Sequence, residues 1–313
     1  MRYIKIFLYT LALIPVLVFG LAYLLPVTQE ENHHEKIFPN SAYITLNGTE
    51  LHYRIWQPDT IRGHAVLIHG FSGHSYSWRK NIDTLVNSGF KVIAADVPPF
   101  GFSSKQEGIN HSSSANAHLI WKLLDTIGGN KWNIIGHSMG AAIAGAMAAI
   151  HPEKTEKLVM VDGIFEGTKK QNKASLTGKL LSSGPFKQLS EAASKNYFCR
   201  YNKFKDLLES AYGSAADSLE VMAYLKPFQY KNTASCIMEF GRSVEVNDLN
   251  AEDIQCPTLL IWGVNDSWIP LYNGEKYVKL HPKAKLALIK NGGHCPMETR
   301  AYEFNSRIID FLK

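Results

Sequence analysis

The chain has 313 residues and a mass of 35.0 kDa, with 45% apolar residues and 19% charged residues. This length and apolar content suffice for a large buried core, so disorder is excluded as the default and one α/β domain fits the size. The net charge of +5 is small for the length and no basic block occurs, which argues against a nucleic-acid partner.

The N-terminus predicts a transmembrane anchor or a signal peptide over residues 1–29. After Arg2 and Lys5, residues 6–28 carry no charge. As a helix they would span about 33 Å, the thickness of a bilayer core. The run exceeds the roughly 7 to 15 apolar residues of a signal peptide, which favours an anchor. Because basic residues stay in the cytoplasm, we expect the remainder to lie outside it, membrane-anchored, or secreted if the segment is cleaved.

A location outside the cytoplasm permits disulfides, and the chain has four cysteines. Cys256 and Cys295 lie in or next to strand-like motifs. Cys199 and Cys236 fall in a helical middle region, where a bridge between them and two buried thiols are both compatible with the pattern.

The chain from Tyr43 onward has the pattern of an α/β fold. The stretch "YITLNGTELHYRIW" alternates around Asn47-Gly48, a dipeptide suited to the positive φ angles of a tight hairpin, so the sheet is predicted to start antiparallel. Six apolar runs follow: "AVLIHG", "KVIAADV", "WNIIGH", "KLVMVDG", "TLLIWG" and "KLALIK". Segments of helical length lie between and after them, at 78–88, 113–127, 139–150, 271–280 and 300–313. This alternation predicts a mostly parallel, eight-stranded sheet flanked by helices.

One long segment interrupts the alternation between Asp162 and Pro257. It has helix-like stretches at about 186–211 and 215–225 and no clear strand. Since a structureless loop of this size is improbable in a compact domain, the segment predicts a helical cap. The predicted organisation is a linker over 30–41, an α/β core over 42–163 and 251–313, and a cap over 164–250.

The motif "GHSMG" at Gly136 to Gly140 has the form GxSxG and joins a predicted strand to a predicted helix. A sharp turn at that junction would hold the Ser138 hydroxyl out from the end of the sheet, next to the positive end of a helix. The pentapeptide alone is also compatible with an ordinary strand-to-helix turn of small residues.

A serine nucleophile needs a base and a carboxylate that orients the base. His294, in "NGGHCPMET", follows the last predicted strand, and Asp266, in "IWGVNDSWIP", follows the strand before it. Residues just past the ends of parallel strands gather at one edge of the sheet. The three are therefore expected to meet there, in the order serine, acid, histidine.

These motifs resemble the α/β-hydrolase fold family, in its serine-nucleophile branch with a helical cap after the sixth strand. Besides the motifs above, "HGFSGHSYSW" resembles the oxyanion loop of the family and "DVPPFGFS" its turn after the fourth strand. The former is also similar to a stretch of membrane-anchored monoacylglycerol lipases. The resemblance implies that Ser138 is the nucleophile, Asp266 the acid and His294 the general base. It further implies that the N–H groups of Phe71 and Met139 form the oxyanion hole.

Other residues near the same edge have alternative interpretations. Asp162 also ends a strand there and is the competing candidate for the acid, although Asp266 is preferred. The remaining polar candidates are interpreted as structural. Asp96 is read as a turn residue, His69 as a loop-shaping residue, His137 as structural and Cys295 as a packing residue. No metal site and no cofactor are predicted.

The predicted reaction is acyl transfer from a small-molecule ester to water. The nucleophile Ser138 argues against haloalkane and epoxide hydrolysis, which by the resemblance require a carboxylate. Carbon–carbon bond hydrolysis, thioester or amide hydrolysis and cofactor-free perhydrolysis stay open as alternatives, as does a non-catalytic binding protein on the same scaffold. The aromatic cap and the anchor suggest monoacylglycerol or lysophospholipid esters as substrates, with the membrane as a partner.

Overall fold

The computed structural model describes residues 37–168, 199–240, 243 and 245–313. The predicted anchor or signal peptide at 1–29 lies outside this part of the chain, as does the beginning of the linker. Within the described ranges, none of the helices combines the length and the apolar character needed to cross a bilayer.

The central element is one eight-stranded sheet, with the strand order β1-β2-β4-β3-β5-β6-β7-β8. The strands are β1 (Ser41–Leu46), β2 (Thr49–Trp56), β3 (Gly63–Ile68), β4 (Phe90–Ala95), β5 (Trp132–His137), β6 (Thr155–Val161), β7 (Thr258–Gly263) and β8 (Ala284–Ile289). β1 and β2 run antiparallel to their neighbours, whereas β3 to β8 are mutually parallel. The prediction of a mostly parallel, eight-stranded sheet is confirmed.

The hairpin between β1 and β2 turns at the predicted dipeptide. Asn47 and Gly48 both have positive φ angles, of 53° and 80°. Two consecutive positive φ angles give the turn whose twist matches that of the flanking strands, so the sequence encodes this turn locally.

Helices cover both faces of the sheet, as the unbroken apolar strands require. The α-helices in the described residues are α1 (Ile82–Asn87), α2 (Ser113–Ile127), α3 (Met139–Ile150), α4 (Tyr201–Tyr212), α5 (Ser218–Leu225), α6 (Thr233–Phe240), α7 (Tyr272–Leu280), α8 (Pro296–Thr299) and α9 (Ala301–Leu312). Side chains of β3 alternate between two cores. Ala65 and Leu67 pack in the core that includes α1 and α9, and Val66 and Ile68 in the core that includes α2 and α3.

The helices at 113–127 and 139–150 begin and end as predicted. The helix predicted at 271–280 begins one residue later, and the helix predicted at 300–313 is shorter by one residue at each end. The predicted helix at 78–88 is wrong in extent, because it is divided into a 3₁₀ turn (Ser75–Trp78) and α1. The side-chain amide of Asn81, between the two, donates to the Met297 carbonyl oxygen at 3.0 Å. This tertiary contact binds the start of α1 to the C-terminal part of the chain.

The cap is helical in its described part. α4 and α5 correspond to the predicted stretches, although α4 begins at Tyr201 and residues 169–198 lie outside the described part. Gly213, with a φ of 65°, ends α4, and the Asp217 side chain caps α5 by accepting a hydrogen bond from the Leu219 N–H. The helix α6 was not predicted from the sequence.

The disulfide considered between Cys199 and Cys236 is absent, and all four cysteines are thiols. The Cys199 thiol donates to the Phe228 carbonyl oxygen at 3.9 Å, and Cys236 is buried within the cap. The alternative of two thiols is therefore the one that the structure adopts.

Candidate active site

Ser138 occupies a strained turn between β5 and α3. Its φ and ψ angles are 52° and −117°, a conformation rare for a residue with a side chain. Two glycines make the turn sterically possible. A Cβ on Gly136 would lie 2.1 Å from the Gly140 carbonyl oxygen, and one on Gly140 would lie 2.3 Å from that of Ile68. The GxSxG spacing therefore reflects close backbone contacts on both sides of the serine.

The structure brings Ser138, His294 and Asp266 together at the carboxyl edge of the parallel strands. The Ser138 Oγ lies 2.9 Å from the His294 Nε2, and the His294 Nδ1 lies 2.8 Å from an Asp266 carboxylate oxygen. Because the carboxylate can only accept, the Nδ1 carries the proton and donates a hydrogen bond to Asp266. The Nε2 is then the acceptor for the serine hydroxyl. This is the arrangement that activates a serine as a nucleophile.

Asp266 is held in its orientation by the loop that follows β7. One carboxylate oxygen accepts from the His294 ring, and the other accepts from the backbone N–H groups of Trp268 and Ile269, at 2.8 and 3.0 Å. Burial acts to raise the pKa of Asp266, but the hydrogen bond and the charge of His294, with the two N–H groups, outweigh burial and lower the pKa. The carboxylate is therefore ionised at neutral pH.

Asp162, the competing candidate for the acid, binds elsewhere. Its carboxyl oxygen accepts from the Gly263 N–H at 2.8 Å, and its φ angle is 44°. Burial, followed by the negative charge of Asp266, raises its pKa well above the usual range. The pKa values of the two neighbouring carboxyls are therefore displaced in opposite directions, and the structure places Asp266 rather than Asp162 on the His294 ring.

The surroundings of His294 restrict its ring. The Trp268 indole stacks on it, with centroids 5.1 Å apart. On another side His137 donates from its Nε2 to the His294 carbonyl oxygen at 2.7 Å. Burial, together with the neighbouring His294, lowers the pKa of His137 to about 3, so His137 is neutral and acts as a hydrogen-bond donor. The structural role expected for His137 matches this contact.

The predicted oxyanion residues lie on two sides of Ser138. Phe71 lines the cavity beside Ser138. Met139 is the first residue of α3, where N–H groups have no partner within the helix. His69 shapes the loop: its Nδ1 donates to the Gly70 carbonyl oxygen at 2.7 Å, and its Nε2 accepts from the Val97 N–H at 2.8 Å. The oxyanion role of Phe71 and Met139 stays a prediction.

Asp96 has a larger structural role than that of a turn residue. Its buried carboxylate accepts from the N–H groups of Ser75 and Phe102, at 2.6 and 2.8 Å, and lies 2.8 Å from the His52 Nδ1. Burial alone would raise its pKa, but the contact with His52 dominates and lowers the pKa below the usual range. Asp96 thereby connects the end of β4 to the loop after β3, through Ser75, and to β2, through His52. Its position directly after an apolar strand was the available sequence signal.

A cavity of about 310 Å³ lies over Ser138 and His294. Its walls are mainly apolar and come from the core and the cap alike. The apolar lining residues are Phe71, Phe204, Leu207, Leu208, Ala211, Trp268, Ile269 and Met297. The described lining residues include no lysine or arginine. An apolar group therefore fits this space.

A family model for the α/β-hydrolase fold matches residues 64–301. The chain belongs to the α/β-hydrolase fold family.

Within this family, the chain is 26% identical to a 2-hydroxy-6-oxononadienedioate/2-hydroxy-6-oxononatrienedioate hydrolase of Paraburkholderia phymatum, over 91% of this chain and 99% of that protein. It is 27% identical to a 2-hydroxy-6-oxo-6-phenylhexa-2,4-dienoate hydrolase of Burkholderia cepacia, over 87% and 96% of the two chains. A crystal structure described as a membrane phospholipase A, a bacterial virulence factor, superposes with a TM-score of 0.69 at 21% identity, covering 98% of each chain. That structural likeness concerns the fold alone. The family and its characterised members identify the protein as a hydrolase.

A polar cluster that includes two cavity-lining residues, Tyr224 and Glu298, was not predicted from the sequence. Glu298 is 3% exposed and accepts hydrogen bonds from the hydroxyls of Tyr212 and Tyr224, both at 2.7 Å. Arg79 forms ion pairs with Glu298 and with Glu220. The position of Glu298 four residues after His294 was the only local signal, because its partners come from distant parts of the chain.

Proposed function

We propose that the protein is a serine hydrolase that cleaves esters of apolar carboxylic acids through an acyl-enzyme. The observation that carries this proposal is the hydrogen-bonded series Ser138, His294 and Asp266 at the base of an apolar cavity. A nucleophile with its base and its orienting acid supports acyl transfer, and the cavity supports an uncharged acyl group.

The contacts suggest the order of events. The His294 Nε2 accepts the Ser138 proton as the Oγ attacks the substrate carbonyl carbon, and Asp266 stabilises the imidazolium that forms. The N–H groups of Phe71 and Met139 would donate to the developing oxyanion. His294 returns the proton to the leaving alcohol, and water, activated by the same ring, then releases the acid.

A second candidate, hydrolysis of a carbon–carbon bond, is supported by the curated relatives. The names of both relatives denote hydrolysis of 2-hydroxy-6-oxo acids. Attack of Ser138 on such a ketone would also give an acyl-enzyme, with a carbon leaving group. The relatives favour this reaction over ester cleavage. Their substrates carry one or two carboxylates, however, and the described lining of the cavity supplies no cationic side chain for a carboxylate. We therefore rank the uncharged ester first.

Two measurements on the full-length protein test the proposal. A fluorophosphonate probe should label the wild-type protein and leave the Ser138→Ala variant unlabelled. A failure to label the wild type would favour a non-catalytic binding protein. Hydrolysis of p-nitrophenyl and glyceryl esters of increasing chain length should then be compared with hydrolysis of 2-hydroxy-6-oxo-6-phenylhexa-2,4-dienoate. A higher kcat/KM for the dienoate would replace the ester proposal with the second candidate.

The membrane location expected from residues 1–29 also belongs to this proposal. An anchored hydrolase domain outside the cytoplasm would meet lipid esters, such as monoacylglycerols or lysophospholipids, at the bilayer surface. Intact mass of the mature protein would distinguish a retained anchor from a cleaved signal peptide. A strict preference for short acyl chains would contradict a role in lipid hydrolysis.

A further inference from the structure

The last turn of the cap helix α4 contacts the loops that carry two members of the triad. The Ala211 carbonyl oxygen accepts a hydrogen bond from the backbone N–H of His294 at 2.8 Å. The Ser210 hydroxyl accepts from the Trp268 indole N–H at 3.1 Å, and Trp268 in turn stacks on the His294 ring. The catalytic histidine is thus held in part by the cap.

The next residue of α4 fixes this turn to the core. The Tyr212 hydroxyl donates to Glu298 at 2.7 Å, and Glu298 lies in α8, four residues after His294. The backbone contact is equally close, because a Cβ on Gly293 would lie 2.5 Å from the Tyr212 carbonyl oxygen. Glu298 is buried and paired with Arg79 of the core, so its orientation does not depend on Tyr212 alone.

The neighbouring cap helix α5 contacts the oxyanion loop in the same way. The His74 Nδ1 accepts from the Tyr76 N–H, so its Nε2 is the donor to the Ala223 carbonyl oxygen at 3.2 Å. The hydroxyls of Tyr224 and Ser77 lie 2.9 Å apart. The two cap helices therefore connect to both halves of the active site, α4 to the histidine and acid loops and α5 to the oxyanion loop.

The substrate cavity uses the same helix. Phe204, Leu207 and Leu208 of α4 line the cavity one to two turns before Ala211 and Tyr212. A substrate that packs against these side chains would contact the helix whose last turn accepts a hydrogen bond from the His294 backbone N–H.

We propose that Tyr212 is a positioning residue. Its hydrogen bond to Glu298 fixes the end of α4 against the core and thereby aligns His294 with Ser138. This inference rests on the proposed function, since it concerns the same triad. Removing the Tyr212 hydroxyl loosens the Ala211 contact with the His294 backbone. The reaction is then slowed at the chemical step, while the apolar walls that bind the acyl group stay in place.

The test compares three full-length variants with the wild type. Tyr212→Phe removes one hydroxyl and keeps the ring, Ser210→Ala removes the acceptor for Trp268, and Lys205→Met is the control. Lys205 lies on the same helix and pairs with Glu209 of α4, one turn further along and outside the cavity lining. We expect Tyr212→Phe to lower kcat, and the rate constant of fluorophosphonate labelling, by about tenfold with little change in KM. The control should match the wild type.

A purely structural role predicts a different result. In that case Tyr212→Phe lowers the melting temperature while kcat and the labelling rate keep their wild-type values, which overturns the proposal. Should Tyr212→Phe fail to fold, Ser210→Ala decides, because its side chain is exposed and it should fold normally. We expect it to lower the labelling rate by about threefold, and an unchanged rate overturns the proposal. A wild-type protein that does not react overturns the proposed function itself.

Discussion

Replacing Asp266 with asparagine tests the assignment of the acid with the smallest change in shape. Asparagine keeps one carbonyl oxygen, which can accept from the N–H groups of Trp268 and Ile269 as the carboxylate does. Its NH₂ group then faces the His294 Nδ1, which is 2.8 Å from the carboxylate in the native protein. Two donors cannot share a hydrogen bond, so the Nδ1 must lose its proton and the Nε2 must carry it.

This exchange of tautomer disables the base. With a proton on the Nε2, His294 cannot accept the proton of Ser138, which lies 2.9 Å away. The same substitution in a Ser-His-Asp enzyme lowers kcat by about 10⁴. That factor corresponds to about 5.5 kcal/mol of transition-state stabilisation. We expect Asp266→Asn to lower kcat/KM by this order of magnitude, with the free energy of unfolding little changed.

The assay is hydrolysis of a p-nitrophenyl ester, with Asp162→Asn as the matched control. Asp162 is the neighbouring carboxyl, and it binds the Gly263 N–H rather than the histidine. Its substitution should change kcat/KM by less than about tenfold. The reasoning is refuted if Asp162→Asn loses the factor of about 10⁴ and Asp266→Asn stays active, since Asp162 would then orient the base.

Three further predictions concern the candidate nucleophile, the turn at Ser138 and the buried Asp162. Ser138→Ala and His294→Ala should each lower kcat by a factor of about 10⁴ to 10⁶. The double variant should have nearly the same kcat as either single variant, because the two residues act as one unit. Additive losses in steady-state assays would contradict this prediction. Gly140→Ala should lower the free energy of unfolding by about 3 kcal/mol or more, because its Cβ would lie 2.3 Å from a β3 carbonyl oxygen. Gly48→Ala has nothing within 4 Å of its Cβ and only a positive φ, so it should lower the free energy of unfolding by about 1 kcal/mol. Similar losses in denaturant unfolding would refute the steric argument. Burial raises the pKa of Asp162 above the usual 3.8. The neutral carboxyl therefore contributes its full stability to the fold below pH 3.8, and this contribution is lost as the pH rises through the raised pKa. Asp162→Asn should flatten this decline in the free energy of unfolding, and an identical pH dependence in both proteins would show that Asp162 is ionised in the fold.

Local patterns in the sequence determined the architecture of the core. The Asn47-Gly48 turn, the apolar strands and the helices at 113–127 and 139–150 depend on neighbouring residues and on periodicity, so each is visible in a short window. The candidate triad was also accessible. Parallel strands end at a common edge, and residues placed just after those ends, such as Asp266 and His294, must lie near one another.

The order of the motifs in the chain favoured Asp266 over Asp162 as the acid. Only the tertiary structure shows how the surroundings of the two carboxyls differ. Asp162 and Asp266 both follow strand ends. Their pKa values are displaced in opposite directions, because burial and the negative charge of Asp266 raise the pKa of Asp162, whereas the hydrogen bond and charge of His294 outweigh burial at Asp266 and lower its pKa. The contact between His294 and Asp266 joins residues that are 28 positions apart in the chain.

The hydrogen bonds between the cap and the core are determined by the tertiary structure alone. Tyr212, Tyr224 and Arg79 meet at Glu298 from separations of 86, 74 and 219 residues. None of these residues has a local pattern that specifies its partner, since a tyrosine on a helix is equally compatible with a self-contained cap core. The sequence by itself determined the sheet, its flanking helices and the strand ends at which the candidate triad lies. The position of the cap against His294 was decided only by folding, because long-range hydrogen bonds have no periodicity that a sequence window can detect.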